Sequence, residues 1–221
     1  MPTNIAIDGP AGAGKSTIAK KIAKELSFIY VDTGAMYRAM ALHLLKNKIP
    51  MDDADAIAKS CQDAVISIRY ENGEQQVILN GENVTSLLRA EEVGNMASVS
   101  SANPSVRKKL VSLQQELASS ADVVMDGRDI GTVVLPDANV KIYLTASSRT
   151  RAVRRYQELQ QKGESCNLDA IEADIKERDY RDMHREISPL CQAEDAVLVD
   201  SSEMTIQEVC DAIIAVYEEK K

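Results

Sequence analysis

The chain alternates short, wholly apolar runs with longer amphipathic stretches. Five runs read as buried strands: Ile5 to Ile7, Phe28 to Val31, Val123 to Met125, Val140 to Leu144 and Ala196 to Val199. Strands that are apolar at every position, and not at alternate ones, belong in a parallel sheet covered on both faces. The stretches between them have helical periodicity. Ile18, Ala19, Ile22, Ala23 and Leu26 share one face, with Lys20, Lys21 and Lys24 opposite. Val106, Leu110, Leu113 and Leu117 form a second apolar face, which opens after Asn103-Pro104-Ser105 as a cap. Ile206, Val209, Ile213 and Val216 form a third, after Ser201-Ser202. One segment breaks this rhythm. Val65 to Tyr70, then Asn72-Gly73, then Gln76 to Asn80 reads as an antiparallel hairpin closed by a two-residue turn. The expected architecture is therefore α/β: a five-stranded parallel sheet flanked by helices, with a small antiparallel insert between its second and third strands.

Composition narrows what such a fold could do. A chain of 221 residues can bury one proper core. With no Trp and a single Phe, Phe28, that core must be aliphatic, which argues against an aromatic platform for stacking nucleic-acid bases. The net charge of -8 argues against a broad basic face, so an anionic ligand would need a local basic pocket. Cys61, Cys166, Cys191 and Cys210 lie far apart without a C-x-x-C pair, and there are only two His. Neither a zinc site nor a disulfide framework is expected; reduced thiols in a cytoplasmic protein are. No signal peptide or membrane span is expected either.

Three of the apolar runs end in Asp8-Gly9, Asp32-Thr33 and Asp200-Ser201, and a fourth in Asp126-Gly127. The first leads into Gly9-Pro10-Ala11-Gly12-Ala13-Gly14-Lys15-Ser16-Thr17, which fits G-x-x-x-x-G-K-[ST] in full. It follows a strand and opens a helix, the context that gives the motif meaning. Glycines let backbone N–H groups turn inward around an anion, and the helix N-terminus adds partial positive charge. Lys15 can reach the β- and γ-phosphates of a nucleoside triphosphate, and the Ser16 hydroxyl suits Mg²⁺.

That loop leaves the reaction open. A GTPase needs N-K-x-D to read guanine, and the nearest stretch, Asn47-Lys48-Ile49-Pro50, lacks the Asp. A phosphotransferase acting on a small phosphate needs a second anion site. Arg128, Arg149, Arg151, Arg154, Arg155, Arg178, Arg181 and Arg185 crowd into one part of the chain. Arg151, Arg154 and Arg155 share a helical face, as do Arg178, Arg181, Asp182 and Arg185. Arg is the side chain suited to bidentate phosphate contact. The alternative is a solvated face knitted by ion pairs with Glu177, Asp179 and Glu186. Kinase chemistry on UMP, AMP or shikimate, and a non-catalytic ATP-binding switch, also stay open.

Four stretches carry a closer resemblance. They are Ile7 through Ser16, Asp32-Thr33-Gly34-Ala35-Met36-Tyr37-Arg38, Asp126-Gly127-Arg128-Asp129-Ile130-Gly131-Thr132, and Glu177-Arg178-Asp179 through Arg185. Together they resemble the bacterial cytidylate kinases, P-loop nucleoside monophosphate kinases, over essentially the whole chain. The resemblance implies a core of about residues 1–62, 106–148 and 187–221, a monophosphate-binding insert of about 63–105 and a helical lid of about 149–186. It implies that Arg38 and Arg128 grip the acceptor phosphate, with Thr33 standing where some relatives carry Ser. Asp129, Arg107 and Ser98 would read the cytosine edge. Arg178 and Asp182 would hold the ribose, and Arg185 would bridge toward the acceptor. Arg151, Arg154 and Arg155 would close over ATP. The implied substrates are ATP with CMP or dCMP, handled by a monomer with Mg²⁺ at Ser16 and Asp126. Lys15, Arg128, Arg151, Arg155, Arg178 and Arg185 would offset charge on the moving phosphoryl group.

Overall fold

The computed structural model describes residues 2–221. The chain forms two compact units, one running to Tyr30 and resuming from Ala121 to Lys221, the other Val31–Ser120. In chain order the elements are β1 (Asn4–Asp8), α1 (Lys15–Leu26), β2 (Ile29–Asp32), α2 (Thr33–Lys46), α3 (Ala54–Asp63), β3 (Ile66–Glu71), β4 (Glu74–Leu79), β5 (Glu82–Asn83), α4 (Glu91–Ser100) and α5 (Pro104–Ser120). There follow β6 (Val123–Gly127), a π-type turn at Ile130–Val134, β7 (Val140–Thr145), α6 (Ser148–Gln161), α7 (Leu168–His184), β8 (Val197–Asp200) and α8 (Ile206–Lys220).

The five apolar runs form one sheet in the order β2-β6-β1-β7-β8. β1 pairs in parallel with β6 and β7, and β7 with β8. The middle strand is thus the one that leads into the glycine-rich loop, whose place beyond a parallel strand's C-terminal end is where such sheets bind ligands. Ile5, Ile7, Val124, Val140, Ile142 and Leu144 from the strands pack with Ile18, Ile22, Val209, Cys210 and Ile213 from the helices. This aliphatic core is the one the composition requires.

In the second unit β3 and β4 pair antiparallel from Ile66↔Leu79 to Glu71↔Glu74. Asn72 and Gly73 both take positive φ (54° and 79°), the geometry that matches a two-residue turn to strand twist. Asn80 and Gly81 do the same (51° and 87°). They return the chain as β5, so the expected hairpin is a three-stranded sheet. Asp32 caps α2 by accepting from the Ala35 N–H at 2.9 Å, which starts the helix bearing Thr33 and Arg38.

Two helix faces differ from expectation. In α5 the buried stripe is Val106, Arg107, Leu110, Gln114 and Ala118, and Leu113 and Leu117 are only half-buried. In α8 the stripe is Val209, Cys210, Ile213 and Tyr217, whereas Ile206 is 51% exposed. The reason is the cap: Thr205 and Glu208 bond reciprocally in a capping box. That fixes Ile206 at the first helical position, facing away from the sheet.

Thr205→Ala should therefore cost about 1 kcal/mol and lower the melting temperature by roughly 2–4 °C. Ile206→Ala should change stability by less than about 0.5 kcal/mol. Thermal unfolding of both variants checks this, and the reverse ranking would contradict the cap.

Candidate active site

The glycine-rich loop leaves β1 through a position that only glycine can occupy. Gly9 has φ 147°, and a Cβ there would stand 1.9 Å from the carbonyl oxygen of Leu144 on β7. Gly14, at φ 89°, is the N-cap of α1 and brings no side-chain acceptor. The first turn of α1 contains no acidic residue. Its leading N–H groups are therefore offered to an outside acceptor, as anion sites at helix N-termini require.

Lys15 is buried and donates to the Pro10 carbonyl at 2.7 Å. Burial, followed by the nearby Arg128 charge, pushes its amine down to about 7, against the pull of Asp126, Asp8 and Asp182. The Ser16 hydroxyl donates to Asp126 Oδ2 at 2.9 Å, and the Tyr30 hydroxyl donates to Asp126 Oδ1 at 2.8 Å. A hydroxyl and a carboxylate thus meet at the mouth of the loop, with the carboxylate oriented from behind. Hard oxygen donors in that number suit Mg²⁺, which takes one or two protein groups and completes its shell with waters and phosphates. Among the described residues no group of three or more His, Cys, Asp or Glu gathers for a protein-only cage.

In the sequence Asp8 stands at the end of an apolar run and within the Ile7-to-Ser16 stretch, with no role of its own assigned. Its two oxygens accept from the backbone N–H groups of Ile130 (2.8 Å) and Gly131 (2.7 Å). It therefore ties the segment bearing Arg128 and Asp129 to the root of the phosphate loop. Burial raises its carboxyl to about 6, the two N–H groups pull it back, and Asp129 adds to the rise.

Arg128 donates from Nε to Asp182 Oδ2 at 2.8 Å. Burial pushes the Asp182 carboxyl up, but Arg128, with Arg178 and Arg185, overrides this and holds it below the usual range. Arg185 approaches Asp129, Nη2 to Oδ1 at 3.7 Å, and donates from Nε to the Ser188 carbonyl. Arg128, Asp129, Arg178, Asp182 and Arg185 thus form one charged group. Arg181, expected on the same face, is largely exposed and lies 3.9 Å from Glu177.

The expected trio on α6 diverges. Arg151 is buried, and the Ala11 carbonyl and Asp179 are among its partners. Arg154 donates to the Ser201 carbonyl, and Arg155 is exposed beside Glu158. In the second unit, Arg107 is buried with its guanidinium 5.9 Å from the Tyr37 ring. Arg38 follows Tyr37 on α2, its Nη1 3.6 Å from where a Gly34 Cβ would stand. Thr33 is buried at the start of α2, and Ser98 is half-buried on α4. Tyr30 and Asp179, like Asp8, acquire their roles only through partners distant in the chain.

The family model described as Cytidylate kinase matches residues 5–219. The chain is 52% identical over 216 residues to the Cytidylate kinase of Ligilactobacillus salivarius (strain UCC118), covering 98% of this chain and 96% of that protein. It is 51% identical over 217 residues to the Cytidylate kinase of Listeria monocytogenes serovar 1/2a, covering 98% and 96%. Against the Cytidylate kinase of Streptococcus pneumoniae (strain 70585) the identity is 50%, covering 98% and 97%. Among solved structures, an uncharacterized protein from Eubacterium ventriosum ATCC 27560 superposes with TM-score 0.53 at 14% identity over 99% of each chain, a likeness of fold alone.

The folded chain holds the Asp8 proton more tightly than the unfolded chain does. Its stabilising contribution is present below the ordinary carboxylate value of 3.8 and is lost as the pH rises through about 6. Asp8→Asn should therefore gain on the wild type by on the order of 2–3 kcal/mol between about pH 4 and pH 7, on top of any constant offset. Urea unfolding of both proteins across that range is the check; a flat difference would contradict it.

Proposed function

The chain belongs to the cytidylate kinase family and is a kinase, and from that premise we propose that it transfers the γ-phosphoryl group of ATP to CMP, and to dCMP. The observation that supports this most is the inward setting of Arg128 and Arg185. Arg128 is paired with the half-buried Asp182 and Arg185 lies near the buried Asp129, in the unit that also contains the glycine-lined loop. Positive charge gathered this way around carboxylates suits an anionic ligand better than a solvated surface does.

The acceptor atom is a phosphate oxygen whose second pKa is about 6, so it is already largely ionised near neutral pH. No general base is needed, and catalysis reduces to positioning and charge neutralisation. The loop's amides and Lys15 hold the triphosphate. To reach it, Lys15 exchanges its bond to the Pro10 carbonyl for a phosphate oxygen. Ser16 and Asp126 would hold Mg²⁺, which would supply charge neutralisation to the triphosphate. Arg38, Arg128 and Thr33 bind the acceptor phosphate, while Arg178 and Asp182 bind the ribose. Arg185 bridges to the transferring group, and Arg155, exposed on α6, is available to an incoming triphosphate. Asp129, Arg107 and Ser98 read the base. A carboxylate accepting from the cytosine N4 amino group has no such partner on uracil. We place the protein in the cytoplasm as a monomer acting on free nucleotides. Its free thiols suit a reducing compartment, and among the described residues no helix is long and apolar enough to cross a membrane.

An ADP-release assay with CMP, dCMP, UMP, AMP and shikimate tests the proposal. CMP should give the highest kcat/KM and dCMP measurable turnover; preference for another acceptor, or ATP hydrolysis unaffected by all five, would overturn it. In the same assay Asp129→Ala should narrow the CMP:UMP ratio by about 10- to 100-fold. An unchanged ratio would remove Asp129 from base recognition.

A further inference from the structure

Arg151, near the start of α6, is 5% exposed, and its guanidinium is bonded within the protein on almost every side. Nε donates to the Ala146 carbonyl at 2.9 Å. Nη1 donates to the Ala11 carbonyl at 2.9 Å and to Asp179 Oδ1 at 3.0 Å, and Nη2 donates to Asp179 Oδ2. Four of the five N–H donors of a guanidinium are thereby engaged, and a carboxylate balances the charge. The side chain lies along the phosphate loop: a Cβ on Gly12 would touch Arg151 Cβ at 3.6 Å. Arg155, one turn further on, is by contrast exposed, and among the described residues its guanidinium meets Glu158.

The other end of this contact is equally specific. Asp179 follows Arg178 on α7 and precedes Asp182 by three residues, so two carboxylates of one helix point the same way. Asp182 holds Arg128 and Asp179 holds Arg151. α7 is therefore pinned at two points, to the segment after β6 and to the backbone of the phosphate loop.

We infer that Arg151 is a positioning residue: with Asp179 it forms a strut by which the phosphate loop fixes α7, and with it Arg178 and Asp182. A loop that turns its amides toward an anion turns carbonyls outward, and those need donors. The Arg151 guanidinium satisfies Ala11 while its fork takes Asp179 bidentately, a geometry that a lysine ammonium cannot reproduce. Settling of the loop around a triphosphate is passed to α7 through two rigid, planar contacts. The inference rests on the proposed function in one respect, that α7 binds the acceptor. It follows that each nucleotide tightens the other, by a single reciprocal factor.

Calorimetric titration of CMP, with and without a saturating non-hydrolysable ATP analogue and Mg²⁺, measures that factor. In the wild type the analogue should tighten CMP by at least about fivefold. In Asp179→Asn and in Arg151→Lys the factor should fall below about twofold, whatever the affinities for each nucleotide alone. If either variant does not fold, Asp179→Glu decides, since it keeps the charge but lengthens the strut and should also lose coupling. A role confined to stability would lower the melting temperature and leave the factor intact. A wild-type factor retained in the folded variants, or no tightening in a wild type that phosphorylates CMP, overturns the strut alone. A wild type that neither binds nor phosphorylates CMP overturns the proposed function and the strut together.

Discussion

In this loop the backbone amides can face an anion because the chain leaves a buried strand with no side chain in the way. Gly9 is where that demand falls. Its position is closed to any Cβ by the Leu144 carbonyl on the neighbouring strand, so the tight exit from β1 depends on the register of β1 against β7. Ile5↔Val140 through Asp8↔Tyr143 fix that register. The sheet's aliphatic packing and the phosphate loop's geometry are thus one constraint, because slippage of β7 would move the wall against which the loop turns.

Around this exit the molecule keeps its positive charges inside by surrounding them with carboxylates. Asp8, Asp126, Asp129, Asp179 and Asp182 each meet a backbone amide, a hydroxyl or an arginine of the same region. Burial alone would neutralise such groups. The opposed shifts of Asp8, up, and Asp182, down, follow their partners: two amides and the nearby Lys15 only partly offset the burial of Asp8, whereas three guanidinium groups override that of Asp182. Removing one partner of such a buried pair leaves the other uncompensated, so the charged group is held together as a unit. The result, inside a chain of net charge -8, is a site whose arginines and lysine are matched by carboxylates.

The parts of this that could be read from sequence are those fixed by local chemistry. The strands were legible because burial on both faces leaves no polar position in Ile5-Ala6-Ile7 or Val123-Val124-Met125. The phosphate loop was legible because its glycines and lysine are contiguous, and the turn at Asn72-Gly73 because positive φ has few residue choices. The faces of α5 and α8 were mis-phased because a leucine or isoleucine at a helix surface looks like one in the core. Only the Thr205–Glu208 cap shows that Ile206 stands outside. The site was legible as a list of residue types but not as a set of partnerships. Asp8 bonds across 122 residues to Ile130, and Arg151 across 140 to Ala11. No periodicity predicts such contacts.

The contrast between Arg151 and Arg155 shows why this matters for function. Both stand on α6 with the same side chain and the same i, i+4 spacing that suggested a shared task. One has its donors committed to two carbonyls and a carboxylate, and the other has solvent beside it. An arginine whose fork is already filled must break a bidentate pair before it can meet a phosphate, whereas an exposed one gives up little. The division of labour on α6 therefore follows from hydrogen-bond saturation: the saturated arginine sets geometry, and the unsaturated one is left to respond to charge.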